Sequence, residues 1–293
     1  MKRKIVIVGV ASGWGAPDQR TANGAHVVIN HLKSIYPDLF YTYASYHLPE
    51  SLSSTAIKPL HDYAIRQFHV TRVVTELSHQ IEVLVNLGYF PIVIGGDHSI
   101  AMGTWSGIKR TYNTDFSLLW FDAHMDAHTY ESSNSLSPHG MPIAALLGHG
   151  IKAWTELAHK DRPVIAPEHL YQFGIRSFEE GEASLLAEHN IAICYAHTCA
   201  KNGLLPEIQS VMQNRSTENF GVSIDIDAID PHFAPGTGTT EPDGLNPKDI
   251  VSFLKEIKNH PHYVALEIME FNPDKDIENK TLYWLIEFIE TLI

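Results

Sequence analysis

Phe116-Ser-Leu-Leu-Trp-Phe121, followed at once by Asp122-Ala-His124-Met-Asp126, is the stretch that decides how this chain is read. A short run apolar on both faces predicts a strand covered on both sides, the kind found in parallel sheets. The next five residues put two carboxylates and an imidazole at alternate positions. In extended backbone, residues i, i+2 and i+4 share one face, so these three are expected to meet in one crevice. In parallel sheets, that crevice lies outside the carboxyl ends of the strands.

Working outward, similar β-branched runs occur at residues 5–10, 39–43, 91–94, 170–174, 191–195, 219–226 and 263–268, and amphipathic stretches separate them. Residues 71–87 carry the clearest helix pattern, with Val74, Leu77, Ile81, Leu84 and Val85 near helical spacing and Gly88 as the stop. Ser177-x-x-Glu180 before residues 183–187 predicts a capping box, and Asn246-Pro247 predicts an N-cap followed by proline in the first turn. No repeat, low-complexity tract or long linker divides the chain. Residues 1–293 are therefore expected to form a single three-layer α/β domain around a parallel sheet of about eight strands.

Composition excludes several classes of function. With 44% hydrophobic residues the chain can bury a large core, which excludes an intrinsically disordered protein. Its 21 Lys+Arg against 34 Asp+Glu leave a formal charge of −13, the wrong sign for nucleic acid or anionic membrane as main partner. Two cysteines exclude a disulfide scaffold and suit a reducing compartment. The basic start, Met1-Lys-Arg-Lys4, precedes an apolar run too short for a membrane span. Gly13-Trp-Gly-Ala-Pro-Asp18 makes a poor cleavage region, so a first strand and a cytoplasmic location are expected.

Two more clusters follow strands. Residues 220–224 lead into Asp225-Ile-Asp227, and residues 91–94 lead into Gly95-Gly-Asp97-His98-Ser99, where two glycines are expected to let the backbone turn tightly. Together the three strand ends supply His98, Asp122, His124, Asp126, Asp225 and Asp227. Four carboxylates cannot share a crevice without cations, because mutual repulsion would drive their pKa values up. Six ligands exceed what one zinc takes from a protein and fit two divalent ions. The mixed carboxylate and imidazole set points to Mn²⁺, with Fe, Co, Ni and Zn open on ligand type alone.

Gly95-Gly-Asp-His-Ser99, Phe121-Asp-Ala-His-Met-Asp126, Ser223-Ile-Asp-Ile-Asp-Ala-Ile-Asp-Pro231 and Glu267-Ile-Met-Glu-Phe-Asn-Pro273 resemble, in order, the signature segments of the ureohydrolases. That family includes arginases, agmatinases and formimidoylglutamases, and the likeness is greatest to arginases. The resemblance implies an arginase/deacetylase-like fold, two Mn²⁺ per chain and hydrolysis of a guanidino C–N bond. It implies that His98, Asp122, Asp126 and Asp225 hold one ion, and that Asp122, His124, Asp225 and Asp227 hold the other. It gives Asp126 and His139 proton-transfer roles and Glu270 the pairing with the guanidinium. A homo-oligomer, trimer or hexamer, is also implied. Histone deacetylases share the fold but hold a single zinc with fewer ligands, so the full set favours the two-metal branch.

For the substrate's tail, the loop from Ala127 to His139 corresponds to the loop that holds the α-carboxylate in arginases. His128 and Ser137 stand where those enzymes carry asparagines, and Ser135 agrees with them. Glu179 replaces a shorter aspartate in the loop for the α-amino group, with Glu182 nearby. The substrate expected first is L-arginine. Agmatine, formimidoylglutamate and another guanidino compound such as N-hydroxyarginine are the alternatives, and a single-metal deacylase stands further off.

Overall fold

All eight apolar runs become strands of one sheet in the computed structural model, which describes residues 3–44 and 63–293. They are β1 (Lys4–Gly9), β2 (Phe40–Tyr43), β3 (Tyr89–Ile94), β4 (Ser117–Phe121), β5 (Leu170–Ile175), β6 (Ala192–Tyr195), β7 (Phe220–Asp225) and β8 (Tyr263–Met269). Met1 and Lys2, of the basic start, lie outside the described residues. Every pairing is parallel, in the order β2-β1-β3-β8-β7-β4-β5-β6. This order matters for chemistry, because β3, β8, β7 and β4 are neighbours although the chain visits them far apart. The four motif segments therefore end side by side.

Helices cover both faces. The described residues form α1 (Gly24–Ile35), α2 (Tyr63–Asn86), α3 (Ala101–Tyr112), α4 (Pro142–Leu146), α5 (Lys152–Thr155), α6 (Glu180–Glu188), α7 (Ala196–Asn202), α8 (Leu204–Asn214), α9 (Pro247–Ile257) and α10 (Lys280–Leu292). One core joins Val28 and Ile29 of α1, Ile208 of α8, Leu254 of α9 and Phe288 of α10 to Ile7, Leu119, Val222 and Leu266 of the sheet. The other joins Leu77 and Ile81 of α2 and Trp105 and Ile108 of α3 to Val8, Val93, Trp120 and Ala265. Adjacent strand residues thus feed opposite cores, which is why the strands read as unbroken apolar runs. No helix among the described residues is long and apolar enough to cross a membrane.

Three local expectations change. Among the described residues the long helix reaches back to Tyr63, beyond residue 71, because Arg66 occupies the buried phase that Val70, Val73 and Leu77 continue and so hides the pattern. Helix α6 is capped at Glu179, not Ser177: Glu182 Oε2 accepts from the Glu179 backbone N–H at 3.0 Å. Gly95 and Gly96 do not adopt the left-handed conformation of a tight turn. They permit close approach instead, since a Cβ on Gly96 would lie 1.6 Å from the Ser12 carbonyl oxygen and one on Gly95 2.0 Å from Met269 Sδ. The Asn246 cap stands as read, its side chain accepting from Lys248 N with Pro247 next.

Candidate metal centre

Sheet order brings the strand ends together, and local hydrogen bonds aim their side chains. Extended alternation is not the means, because β4 stops at Phe121 and the chain then bends. Asp122 Oδ1 accepts from His124 N at 2.7 Å, and its Oδ2 accepts from Trp120 Nε1 at 2.8 Å. Asp225 ends β7 and accepts from Asp227 N at 2.9 Å, while Asp227 Oδ1 accepts from Ala123 N at 3.1 Å and ties the two loops together. Short acidic side chains satisfy the backbone N–H groups that the ending strands leave unpaired, and this bends the chain at each cluster. Asp126 and Glu270 both have positive φ, 51° and 66°.

His98 is the centre of one group. Its Nδ1 lies 3.2 Å from Asp122 Oδ2, 3.2 Å from Asp126 Oδ2 and 3.0 Å from Asp225 Oδ2. Its Nε2 meets Ser223 Oγ at 3.0 Å, and Ser223 in turn donates to Glu267 Oε1 at 2.7 Å. Ser223 gives its proton to Glu267 and so accepts from Nε2–H, which leaves the Nδ1 lone pair directed at the acids. The ring stacks on Trp120 with centroids 4.1 Å apart. His98 Nδ1 and Asp126 Oδ2 are both buried without a hydrogen bond of good geometry. A lone pair and carboxylate oxygens converging on one point are the donor set of a divalent cation.

His124 anchors the second group, with Nδ1 3.0 Å from Asp227 Oδ2 and 3.6 Å from Asp122 Oδ1. His98, Asp122 and Asp225 offer one three-ligand set and Asp122, His124 and Asp227 another, so Asp122 belongs to both. Electrostatics agree with a site built for cations. Burial, and then the charge of Asp122, pushes Asp126 up to about 7. Burial with Asp227 and Asp122 raises Asp225 well above the carboxylate range. Burial works against charge on His98, yet the carboxylates of Asp122, Asp126 and Asp225 hold its pKa well above the ordinary value. Protons stand in for missing positive charge.

Above the acids opens a cavity of about 360 Å³ lined by Asp126, His139, Glu270 and Glu241, among others. His139 Nδ1 lies 3.0 Å from Glu270 Oε1, which also accepts from His98 N at 3.0 Å. Burial opposes the His139 charge, but Glu270 outweighs it and raises the pKa. Every site residue expected from the sequence reaches this cavity or the acid cluster beneath it. Their engagements differ, however. Glu182 is 3% exposed and already accepts from Ala127 N at 3.2 Å besides capping α6. His128 has its Nε2 3.3 Å from Glu182 and its Nδ1 3.1 Å from Ser132 Oγ. Glu179 accepts from Asn134 at 2.8 Å and remains half exposed.

Sequence reading missed Glu241, whose Oε1 lies 3.7 Å from His124 Nε2, and Thr237 and Thr239 beside it on the wall. The signal was available: Gly236-Thr-Gly-Thr-Thr-Glu-Pro242 is a loop sequence just after the third motif. Arg176 fastens that loop, donating to the carbonyls of Asp227, Glu241 and Pro242 at 2.7–2.8 Å.

A family model described as Arginase family matches residues 3–293. An arginase of Bacillus caldovelox is 36% identical over 209 residues, 70% of this chain and 69% of that protein. The solved native structure of Bacillus caldovelox arginase superposes with a TM-score of 0.83 at 30% identity, covering 100% of this chain and 98% of the other. A structure of Entamoeba histolytica arginase in complex with L-ornithine gives a TM-score of 0.85 at 25% identity, with 100% and 99% covered.

Proposed function

Because the chain belongs to the arginase family and is a metal-dependent amidinohydrolase, we propose that its substrate is L-arginine, cleaved to urea and ornithine, and that its cofactor is two Mn²⁺ per chain. The observation that carries the reading is the pair of three-ligand sets sharing Asp122 under a cavity of amino-acid size. In the proposal, His98, Asp122, Asp126 and Asp225 hold one ion, and Asp122, His124, Asp225 and Asp227 hold the other. When bound, such ions make a water-derived nucleophile available near neutral pH and hold it against the substrate.

The chain's own groups do the rest. The guanidinium carbon resists attack, and its amine is a poor leaving group until protonated. Glu270, at the mouth of the acid cluster, pairs with the planar guanidinium and fixes its carbon over the acids. Asp126, besides its place in the ligand set, bonds the attacking water and passes its proton toward the departing amine. His139 stands at the entrance with its side chain 25% exposed and passes protons between bulk water and the departing amine. The sum is arginine plus water giving urea plus ornithine.

Glu179 and Glu182 receive the α-amino group, and His128, Ser135 and Ser137 face the α-carboxylate. Residues 1–293 act as one catalytic domain, and the resemblance extends the proposal to a trimer or hexamer. The test is urea release from arginine, agmatine, guanidinobutyrate and N-hydroxyarginine with Mn²⁺ supplied, alongside metal analysis. Arginine is expected to give the highest kcat/KM with two ions bound per chain. Preference for agmatine would overturn the arginine assignment, and full activity with one ion would overturn the two-metal centre.

A further inference from the structure

Besides Asp126, Asp225 and Asp227, which belong to the metal centre, the cavity wall carries Glu179, Glu182, Glu241 and Glu270. None of its lining residues among those described is Lys or Arg. With cations on the three aspartates, these four glutamates still favour a guanidinium and an ammonium over the carboxylate of an amino acid. One corner is different. Ser135 and Ser137 line it, and behind Ser137 lies the guanidinium of Arg66, from the first turn of α2. Arg66 is 7% exposed, and its Nη1 donates to Ser137 Oγ at 3.3 Å.

The direction of these bonds carries information. A hydroxyl has one proton and two lone pairs. Ser137 Oγ accepts from Arg66, and Ser135 Oγ accepts from Ser137 N at 3.2 Å. Ser137 Oγ therefore takes its bond from the protein side and keeps its proton to give, while Ser135 Oγ shares a 3.5 Å contact with Ser133 Oγ. A carboxylate can only accept, and a primary amine tail offers mainly donors. Among the described residues, Arg66 is the cation hydrogen-bonded to this corner.

We propose that Arg66 is the residue that makes the tail pocket select a substrate bearing a carboxylate, acting through Ser137 as a positioning residue rather than by direct contact. The inference rests on the arginine reading above and deepens it. Arg66 polarises the Ser137 hydroxyl toward the cavity and offsets the field of the acids at the place where the tail ends. Its planar guanidinium stays charged at any working pH, so the effect is constant across the enzyme's pH range. A methionine of similar length keeps the packing and removes both the charge and the bond.

The experiment compares arginine and agmatine as substrates for Mn²⁺-loaded parent, Arg66→Met, Arg66→Lys, Ser137→Ala and the Met/Ala double variant. Arg66→Met is expected to raise the KM for arginine about tenfold while kcat stays within about twofold, as for loss of a binding interaction made equally in ground and transition states. The KM for agmatine is expected to move by less than about twofold. Arg66→Lys restores part of the arginine affinity. Ser137→Ala shows the same arginine-specific loss, and the double variant adds little to it because both changes break one connection. Should Arg66→Met fail to fold, the Lys and Ser137 variants still decide the matter.

Equal losses for both substrates would mark Arg66 as merely structural, and an unchanged preference for arginine would remove it from recognition; either overturns the proposal while the arginine reading stands. A parent enzyme that prefers agmatine overturns the arginine reading itself.

Discussion

His98 and Asp227 each belong to only one of the two three-ligand sets that share Asp122. Replacing either by alanine takes one donor from one set and leaves the other complete. Both His98→Ala and Asp227→Ala are expected to bind about one ion per chain, with kcat lower by at least about a hundredfold at saturating Mn²⁺, because both ions serve one reaction centre. Metal analysis and steady-state kinetics on the same preparations check this, and near-normal turnover in either variant would contradict a shared centre. These ligands were legible in the sequence because charged residues directly after buried strands have few structural uses. Their directions were not. Asp122 and Asp225 aim through bonds to backbone N–H groups two residues on, a detail that alternation along a strand does not convey. Arg66 was illegible for the opposite reason, since a buried guanidinium on a helix reads as a surface residue until its neighbours are known.

At the scale of elements, the end of β3 is sewn between β1 and β8. Gly96 N donates to Val10 O at 3.0 Å, Asp97 N donates to Ser12 O at 2.9 Å, and Glu270 N donates to Gly96 O at 2.7 Å. His98 and Glu270 are thus positioned by the same three-strand seam. Gly96→Ala would push its methyl into the Ser12 carbonyl, and the obstacle is backbone with no rotamer to yield. A loss of about 3 kcal/mol is expected, at the upper end of overpacking costs, together with weaker metal binding. Urea unfolding and metal titration of the variant measure both, and unchanged stability would show that the seam gives way freely. Strand positions could be read because burial on both faces forces continuous apolar runs. Helix starts were harder. Glu182 serves α6 as a cap partner and the neighbouring loop as an acceptor for Ala127, and Ser177-x-x-Glu180 offered a competing pattern two residues earlier.

Across the whole molecule, the acid cluster ties stability to pH, and metal reverses the sign. Without metal, Asp126 titrates at about 7 against an unfolded value of about 4. The folded chain therefore holds a proton that the unfolded chain releases, and stability falls as pH rises through that window. Asp225, raised for similar reasons, acts in the same direction. His98, raised by its three carboxylates against the effect of burial, contributes stability that is complete below about 6.5 and lost at higher pH. Asp122 opposes them: burial would raise it, but His124 and His98 depress it, so its contribution disappears on acidification below about 4. Between pH 5 and pH 8 the metal-free protein is expected to melt at progressively lower temperature. Excess Mn²⁺ should make the melting temperature rise over the same range, because the cations bind where protons leave. Calorimetry with chelator and with Mn²⁺ reads the two slopes, and parallel slopes would contradict the exchange. The left-handed backbone at Asp126 and Glu270 has a different consequence, on the timescale of descent. A residue with a side chain costs about 1–2 kcal/mol in that conformation and glycine does not. Selection for turnover must hold both positions against a standing pressure toward glycine. In a lineage freed from catalysis that pressure runs unopposed, so glycine at either position, in an otherwise intact fold, is the mark by which a retired relative of this enzyme can be recognised.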